Sequence, residues 1–285
     1  MILRETLQST RRTLCGAGIP DAAAEAELLL GHLLRMSRTQ LYTQPEKDLT
    51  MAERDRLRDL VRRRLDREPA AYIVGCREFY GVDFLVDCRT LIPRPETELL
   101  VERAIEAARC MRGPERRITI ADIGTGCGAV AISLALAMPW AEIYATDASA
   151  SALQVAEMNC RRHAVDGQVR LLHGNLLEPL PQPVDMVVAN LPYVEDDELG
   201  DLAPEIRYYE PMLALAGGED GLDVIRKLLE QMPGKISGQA CFLLEVGEGQ
   251  AHMTASLVRG YFPEASVGLI TDLAGIERVV IATQR

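Results

Sequence analysis

Residues 118–137, ITIADIGTGCGAVAISLALA, hold the reading that decides the fold. Ile118 to Ile123 form a short apolar run of the kind that makes a buried parallel strand, and Ala129 to Met138 read as a helix. Between them, Asp122-Ile123-Gly124-Thr125-Gly126-Cys127-Gly128 places three glycines at alternate positions. Glycines let a ligand approach the backbone, and N–H groups at a helix start can meet a carboxylate or phosphate. Gly124, Gly126 and Ala129 also fit the dinucleotide pattern G-x-G-x-x-G/A. A second strand, Glu142 to Thr146, leads into Asp147, which follows Gly124 by 23 residues. That is close to the roughly 20 residues expected before a carboxylate that accepts hydrogen bonds from ribose hydroxyls. A glycine loop with a spaced acid in this context implies an adenosine ligand. After a third strand, Val169 to His173, Asn175 offers a side-chain amide to an adenine edge and Leu176 a backbone partner.

Working outward, strands and helices go on alternating, the signature of an α/β fold with a parallel sheet and helices on both faces. Val184 to Ala189, Ala240 to Val246, Ser266 to Ile270 and Arg278 to Ala282 complete seven expected strands. Helices are expected at Ser149 to Arg161, Gly221 to Gln231 and Gln250 to Arg259. The chain before residue 76 reads as helical instead. Ala22 to Met36 places Leu28, Leu29, Leu30, Leu33 and Leu34 on one side, with Asp21 positioned to cap. Thr50 to Glu68 puts Leu57, Leu60, Val61 and Leu65 on a stripe. Arg54, Arg58, Arg62, Arg63 and Arg64 occupy the rest, interleaved with acids, and read as a solvated, salt-bridged face. Two such stripes bury each other most simply in a small helical bundle. Between residues 76 and 98, Phe79, Val82, Phe84 and Val86 alternate around Gly81 as in a hairpin linker. The expected domains are therefore a helical one at 1–75, the linker at 76–98 and the α/β domain at 99–285.

The end of the fourth strand carries Asn190-Leu191-Pro192-Tyr193. Ligand crevices in open α/β sheets lie outside such carboxyl ends. Asn190 supplies a carbonyl acceptor and an NH2 donor, Pro192 restricts Leu191, and Tyr193 offers a flat face to a planar group. An Asn-x-Pro-aromatic clamp has no use in a dehydrogenase, but it suits methyl transfer to a planar amide or amine nitrogen. S-adenosyl-L-methionine (SAM) is thus favoured over a nicotinamide dinucleotide. Asn190 and the Leu191 carbonyl are the candidate acceptors, and no metal or covalent intermediate is required.

Composition narrows the setting. The chain has 285 residues, 48% of them apolar, and a net charge of −11, which supports a real core and gives no general attraction to nucleic acid or anionic membrane. Seven cysteines without C-x-x-C spacing and four scattered histidines read as reduced thiols and no metal site. Cys127 reads as a space-filler. Neither a signal peptide nor a membrane span of roughly 20 apolar residues is expected, so a cytoplasmic protein, monomeric by default, is the expectation. Glu245 and Glu248 read as a solvated strand end.

Arg77-Glu78-Phe79, Leu91 to Glu98 (LIPRPETE), Asp122 to Gly128, Asn190 to Tyr193, Glu210-Pro211 with Ala214-Leu215, and Asp272 to Arg278 (DLAGIER) carry a resemblance that runs nearly end to end. The chain resembles the HemK/PrmC family of protein-(glutamine-N5) methyltransferases. The resemblance implies a class I SAM-dependent methyltransferase with a Rossmann-like seven-stranded sheet and a small N-terminal helical bundle that helps hold a class I peptide-chain release factor. SAM would meet Gly124, Thr125, Gly126, Cys127, Gly128, Asp147, Asn175, Leu176 and Asn190. The glutamine of the Gly-Gly-Gln motif would lie on Asn190, Leu191, Pro192 and Tyr193. Two positions depart from the family. Leu191 stands where the family usually has the first proline of Asn-Pro-Pro-Tyr, and the resulting Asn-Leu-Pro-Tyr is a form also seen in rRNA adenine dimethylases; Asn175 stands where many relatives carry an acid. An adenine-N6 methyltransferase acting on RNA or DNA and a non-catalytic SAM-binding module are the competing readings. The acidic charge and the Pro-Arg-Pro-Glu-Thr-Glu stretch weigh against the former, and the intact glycine loop and Asn190 against the latter.

Overall fold

Before residue 76 the apolar stripes close on one another as five helices: α1 (Leu3–Gly16), α2 (Ala22–Leu34), α3 (Arg38–Thr43), α4 (Met51–Leu65) and α5 (Ala70–Val74). They are seen in a computed structural model of the chain that describes residues 2–111 and 117–284. Leu3, Leu14, Leu29, Leu30, Leu41 and Leu57 form their shared core. Ser37 and Thr50 open α3 and α4 with capping boxes closed by Gln40 and Glu53, which satisfy first-turn N–H groups.

Three expectations for this region fail. Asp21 precedes α2, but its backbone is left-handed and its side chain makes no cap bond, because that conformation turns the side chain away from the first turn. Leu28 is exposed, and so is Leu65; five leucines within residues 28–34 span more of a helix than one buried face can take. Arg64 is not on a solvated face but is 2% exposed. Its guanidinium holds Glu25 at 2.5 and 3.2 Å and Glu205 at 2.9 Å. Glu205 also takes Arg67 at 3.3 Å, and Tyr209 donates to the Asp66 carbonyl at 2.7 Å. These contacts make residues Ala203–Tyr209 part of the same compact unit as Met1–Cys76.

The second unit comprises Arg77–Leu202 and Glu210–Arg285. Strands β1 (Cys76–Phe79) and β2 (Val82–Leu85) form the expected hairpin. Tyr80 and Gly81 both have positive φ, the two-residue turn whose twist matches paired strands. Helix α6 (Thr97–Met111) follows the Pro-Arg-Pro-Glu stretch. Next come β3 (Thr119–Ile123), α7 (Ala129–Ala137), β4 (Glu142–Asp147), α8 (Ala150–Arg162), β5 (Val169–His173) and β6 (Val184–Asn190). A two-stranded ribbon, β7 (Val194–Glu195) with β8 (Ala216–Gly218), brackets α9 (Pro204–Tyr209) in the sequence. The chain closes with α10 (Asp223–Gln231), β9 (Ile236–Glu245), α11 (Ala251–Tyr261), β10 (Ser266–Thr271) and β11 (Glu277–Thr283).

All seven expected strands join one sheet, ordered β10-β11-β9-β6-β3-β4-β5. Six strands point the same way, and β11 alone is reversed, pairing antiparallel with β9 on one side and with the edge strand β10 on the other. From β3 the chain winds outward through β4 to β5, then crosses back to lay β6 on the other side of β3. The direction of winding therefore reverses between β3 and β6, and the crevice at such a reversal is where open α/β sheets bind ligands. The glycine loop leaves β3 there and the Asn190 stretch leaves β6. Val184 to Ala189 are buried throughout, which is why this stretch of β6 is apolar apart from Asp185, whose carboxylate accepts from Thr119 N and Oγ1 at 3.0 and 3.1 Å.

Candidate active site

The glycine loop is shaped from beneath by two carboxylates. Gly124, Gly126 and Gly128 have φ of +74°, +56° and +85°, values that L side chains adopt only under strain. Gly124 N and Thr125 N donate to the Thr146 carbonyl at 2.9 and 3.0 Å. Asp122, 2% exposed, accepts from Thr125 Oγ1 at 2.6 Å and from Ala131 N at 3.1 Å. Burial pushes its carboxyl up to about 7 against the pull of those two hydrogen bonds. Asp147 accepts from Gly126 N and from Ser149 N, each at 2.8 Å; burial raises its pKa while these bonds oppose. A Cβ built on Gly126 would meet nothing within 4 Å, so the space beside the loop is open there. A carboxylate at the next strand end beside that open space fits the ribose hydroxyls of SAM.

Cys127 is buried, and burial drives its thiol up to about 12, consistent with a space-filler. Its carbonyl accepts from Asn159 Nδ2 at 2.9 Å. Asn159 is fully buried and also pairs with Leu85, accepting from its N at 2.7 Å and donating to its carbonyl at 3.0 Å. It ties the hairpin to the glycine loop. Nothing in the local sequence marks it. Leu176 is buried with φ of 51°, and Asn175 is exposed, its amide donating to Glu178 at 2.8 Å.

The Asn190 stretch sits directly against the loop. A Cβ placed on Gly124 would lie 3.2 Å from Leu191 Cδ2 and 3.5 Å from the Asn190 carbonyl oxygen. Asn190 Nδ2 donates to Thr97 Oγ1 at 3.0 Å, so the side-chain oxygen is the group left to accept. The Tyr193 carbonyl accepts from Gln250 Nε2 at 2.9 Å, and Gln250 Oε1 accepts from Gly247 N at 2.9 Å. The sequence marks Gln250 only as a helix start, yet this residue, 7% exposed, fixes the far end of the clamp.

The Pro-Arg-Pro-Glu-Thr-Glu stretch contributes through three of its side chains. Arg94 pairs with Glu210 at 2.6 Å, Thr97 holds Asn190, and Glu98 accepts from Tyr80 N at 2.9 Å. Glu245 corrects the solvated reading: it is 2% exposed and stands opposite Asn190 in the β6–β9 register. Desolvation pushes its carboxyl up to about 7 while the facing Thr97 hydroxyl pulls the other way. Glu248 is exposed as expected.

Residues 5–75 match the family model "PrmC N-terminal domain" and residues 97–206 the "Methyltransferase small domain". A release factor glutamine methyltransferase of Koribacter versatilis is 37% identical, over 99% of this chain and 98% of its own length. One from Moorella thermoacetica is 38% identical over 100% and 99%. The chain belongs to the release factor glutamine methyltransferase family. Among solved structures, a Pyrococcus furiosus methyltransferase superposes with TM-score 0.52 at 16% identity, covering 72% of this chain and 90% of that one. A Thermus thermophilus 16S rRNA guanine methyltransferase gives TM-score 0.52 at 18% identity, covering 74% and 50%. Both establish the shared methyltransferase fold. That family membership accounts for the motif pieces scattered from Arg77 to Arg278, several of which the fold brings to the carboxyl ends of β3, β6 and β9.

Proposed function

We propose that this chain transfers the methyl group of SAM to the side-chain amide nitrogen (N5) of the glutamine in the Gly-Gly-Gln motif of class I peptide-chain release factors. The observation that carries the reading is the contact of Gly124 with Leu191 and Asn190: a cofactor on the glycine loop and a planar group on the clamp would be immediate neighbours.

Bound SAM supplies an electrophilic methyl group on a sulfonium. The chain's own residues bind, aim and shield. Gly124 to Gly128 let the cofactor approach the backbone, and Asp147 holds it by a carboxylate. Asn190 Oδ1 and the Leu191 carbonyl accept the two N–H bonds of the glutamine amide, and Tyr193 packs on its plane. An amide nitrogen is a poor nucleophile because its lone pair is delocalised, so catalysis rests on fixing that lone pair in line with the methyl carbon. The nitrogen takes the methyl carbon as its bond to sulfur breaks, leaving S-adenosyl-L-homocysteine, and gives up one proton to water. The acceptor at residue 191 is a main-chain carbonyl, so leucine in place of proline leaves it in place.

The test is incubation with methyl-labelled SAM and, in parallel, a class I release factor, its Gln→Ala variant in Gly-Gly-Gln, and ribosomal RNA. Label is expected on the intact factor alone, and label on RNA instead would refute the reading. Asn190→Ala should lower kcat by roughly 100- to 1,000-fold, as loss of one preorganised polar group does, while SAM still binds.

A further inference from the structure

Glu245 is a buried acid with no role in the mechanism above. It lies beside Asn190 across β6 and β9, its Oε2 makes no hydrogen bond among the described residues, and it faces the hydroxyl of Thr97. That hydroxyl already accepts from Asn190 Nδ2 at 3.0 Å. Thr97, 4% exposed, has one proton to give, and a buried hydroxyl needs somewhere to send it.

We propose that Glu245 is a positioning residue for the methyl acceptor: its carboxylate takes the Thr97 hydroxyl proton in a hydrogen bond, which commits Thr97 Oγ1 to accept from Asn190 Nδ2 and so presents Asn190 Oδ1 to the glutamine amide. The inference rests on the reading of Asn190 as the amide clamp. An asparagine amide is nearly symmetrical in shape, so hydrogen bonds alone choose between its two orientations. An ionised Glu245 only accepts, and this forces the chain of donors in one direction. A protonated Glu245 can itself donate to Thr97. Thr97 is then free to donate to Asn190 Oδ1, and the flipped amide turns NH2 toward the substrate, where two N–H groups would face each other. The relay is therefore intact when Glu245 is charged.

Arg94 and Arg278 favour that charge and Glu96 opposes it, while Tyr193, its own pKa raised by burial, stays neutral in this range. Burial nevertheless dominates and sets the transition at about 7. The sign follows: kcat rises with pH through that value.

The experiment measures kcat and KM against pH, at saturating SAM and release factor, for the wild type, Thr97→Val, Thr97→Ser, Glu245→Gln and Asn190→Ala. SAM affinity and melting temperature are measured alongside. Thr97→Val keeps the shape and removes the relay, and kcat should fall roughly 10- to 100-fold, the range of a displaced positioning group. Thr97→Ser retains the hydroxyl and should restore most of the rate. Glu245→Gln should lower kcat and abolish the acid limb, with SAM affinity unchanged. A wild-type kcat in Thr97→Val, or an acid limb that persists unmoved in Glu245→Gln, overturns the proposal. If either occurs while Asn190→Ala is inactive, the relay fails and the clamp stands. Full turnover by Asn190→Ala removes the clamp, and the relay with it. Should Thr97→Val not fold, Thr97→Ser and the near-isosteric Glu245→Gln decide.

Discussion

Replacing Asp147 with asparagine separates its place in the glycine loop from the contact to SAM proposed for it. In the folded chain its carboxylate accepts from Gly126 N and Ser149 N, each at 2.8 Å. Its pKa is raised because burial outweighs those bonds. A raised folded pKa means that its stabilising contribution is fully present below the unfolded value and is lost as pH rises through the folded one. At neutral pH the charge therefore contributes little to stability. The asparagine side chain keeps one acceptor and sheds the cost of a buried charge, so apo stability should change by no more than about 1 kcal/mol. SAM binding is another matter. Hydrogen bonds from two ribose hydroxyls to an ionised acceptor contribute about 1.5–3 kcal/mol each. Weakening both by exchange for an amide should cost about 3 kcal/mol, roughly 100-fold in Kd. Titration calorimetry gives the Kd directly, and thermal melting with and without SAM gives the split. A SAM concentration of about 100 Kd stabilises the wild type by about 2.7 kcal/mol, and nearly all of that should vanish in Asp147→Asn while the apo melting temperature holds. In the wild type, affinity should also weaken as pH falls through the raised pKa, and in the variant it should be flat. A Kd within about threefold of wild type would show that Asp147 shapes the loop without touching the cofactor.

Two further outcomes follow from packing. Arg64→Ala leaves Glu25 and Glu205 facing each other without their shared cation. Their side chains are 20% and 16% exposed, so the loss should fall at the low end for a broken buried pair, about 3 kcal/mol. Hydrogen exchange in α2 and α4 should report it, and a change under about 0.5 kcal/mol, the size of a surface substitution, would mean that the network is solvated after all. Gly221→Ala would drive a Cβ into the Tyr193 carbonyl and Gln250 Nε2, at a φ of +71°. The left-handed backbone alone costs roughly 1–2 kcal/mol. Turnover should fall because the far end of the clamp moves, with SAM affinity retained, and unchanged kcat and stability would contradict the pinning role given to Gln250.

Much of this protein is written locally. The seven strands, the glycine loop and Asp147 are legible because each is a short run: an apolar stretch, a turn that needs positive φ, an acid at a strand end. Asn190 to Tyr193 can be read as a clamp because a strand end fixes where such a group sits. The family motifs can be named from sequence as well, but not what each of their residues does. Arg94 reaches Glu210 across 116 positions and Asn190 reaches Thr97 across 93. Arg64 and Glu205 are 141 apart, so the helix pattern alone puts Arg64 in water. Glu245 misleads for the same reason. A glutamate closing a strand looks solvated in one dimension, and only the packing of α6, β6 and β11 around it withdraws the water. Periodicity reports which face of an element is apolar, and that much the chain states by itself. Whether a charge is buried, and what it then holds in place, depends on elements that arrive from elsewhere, and that was decided by the tertiary structure.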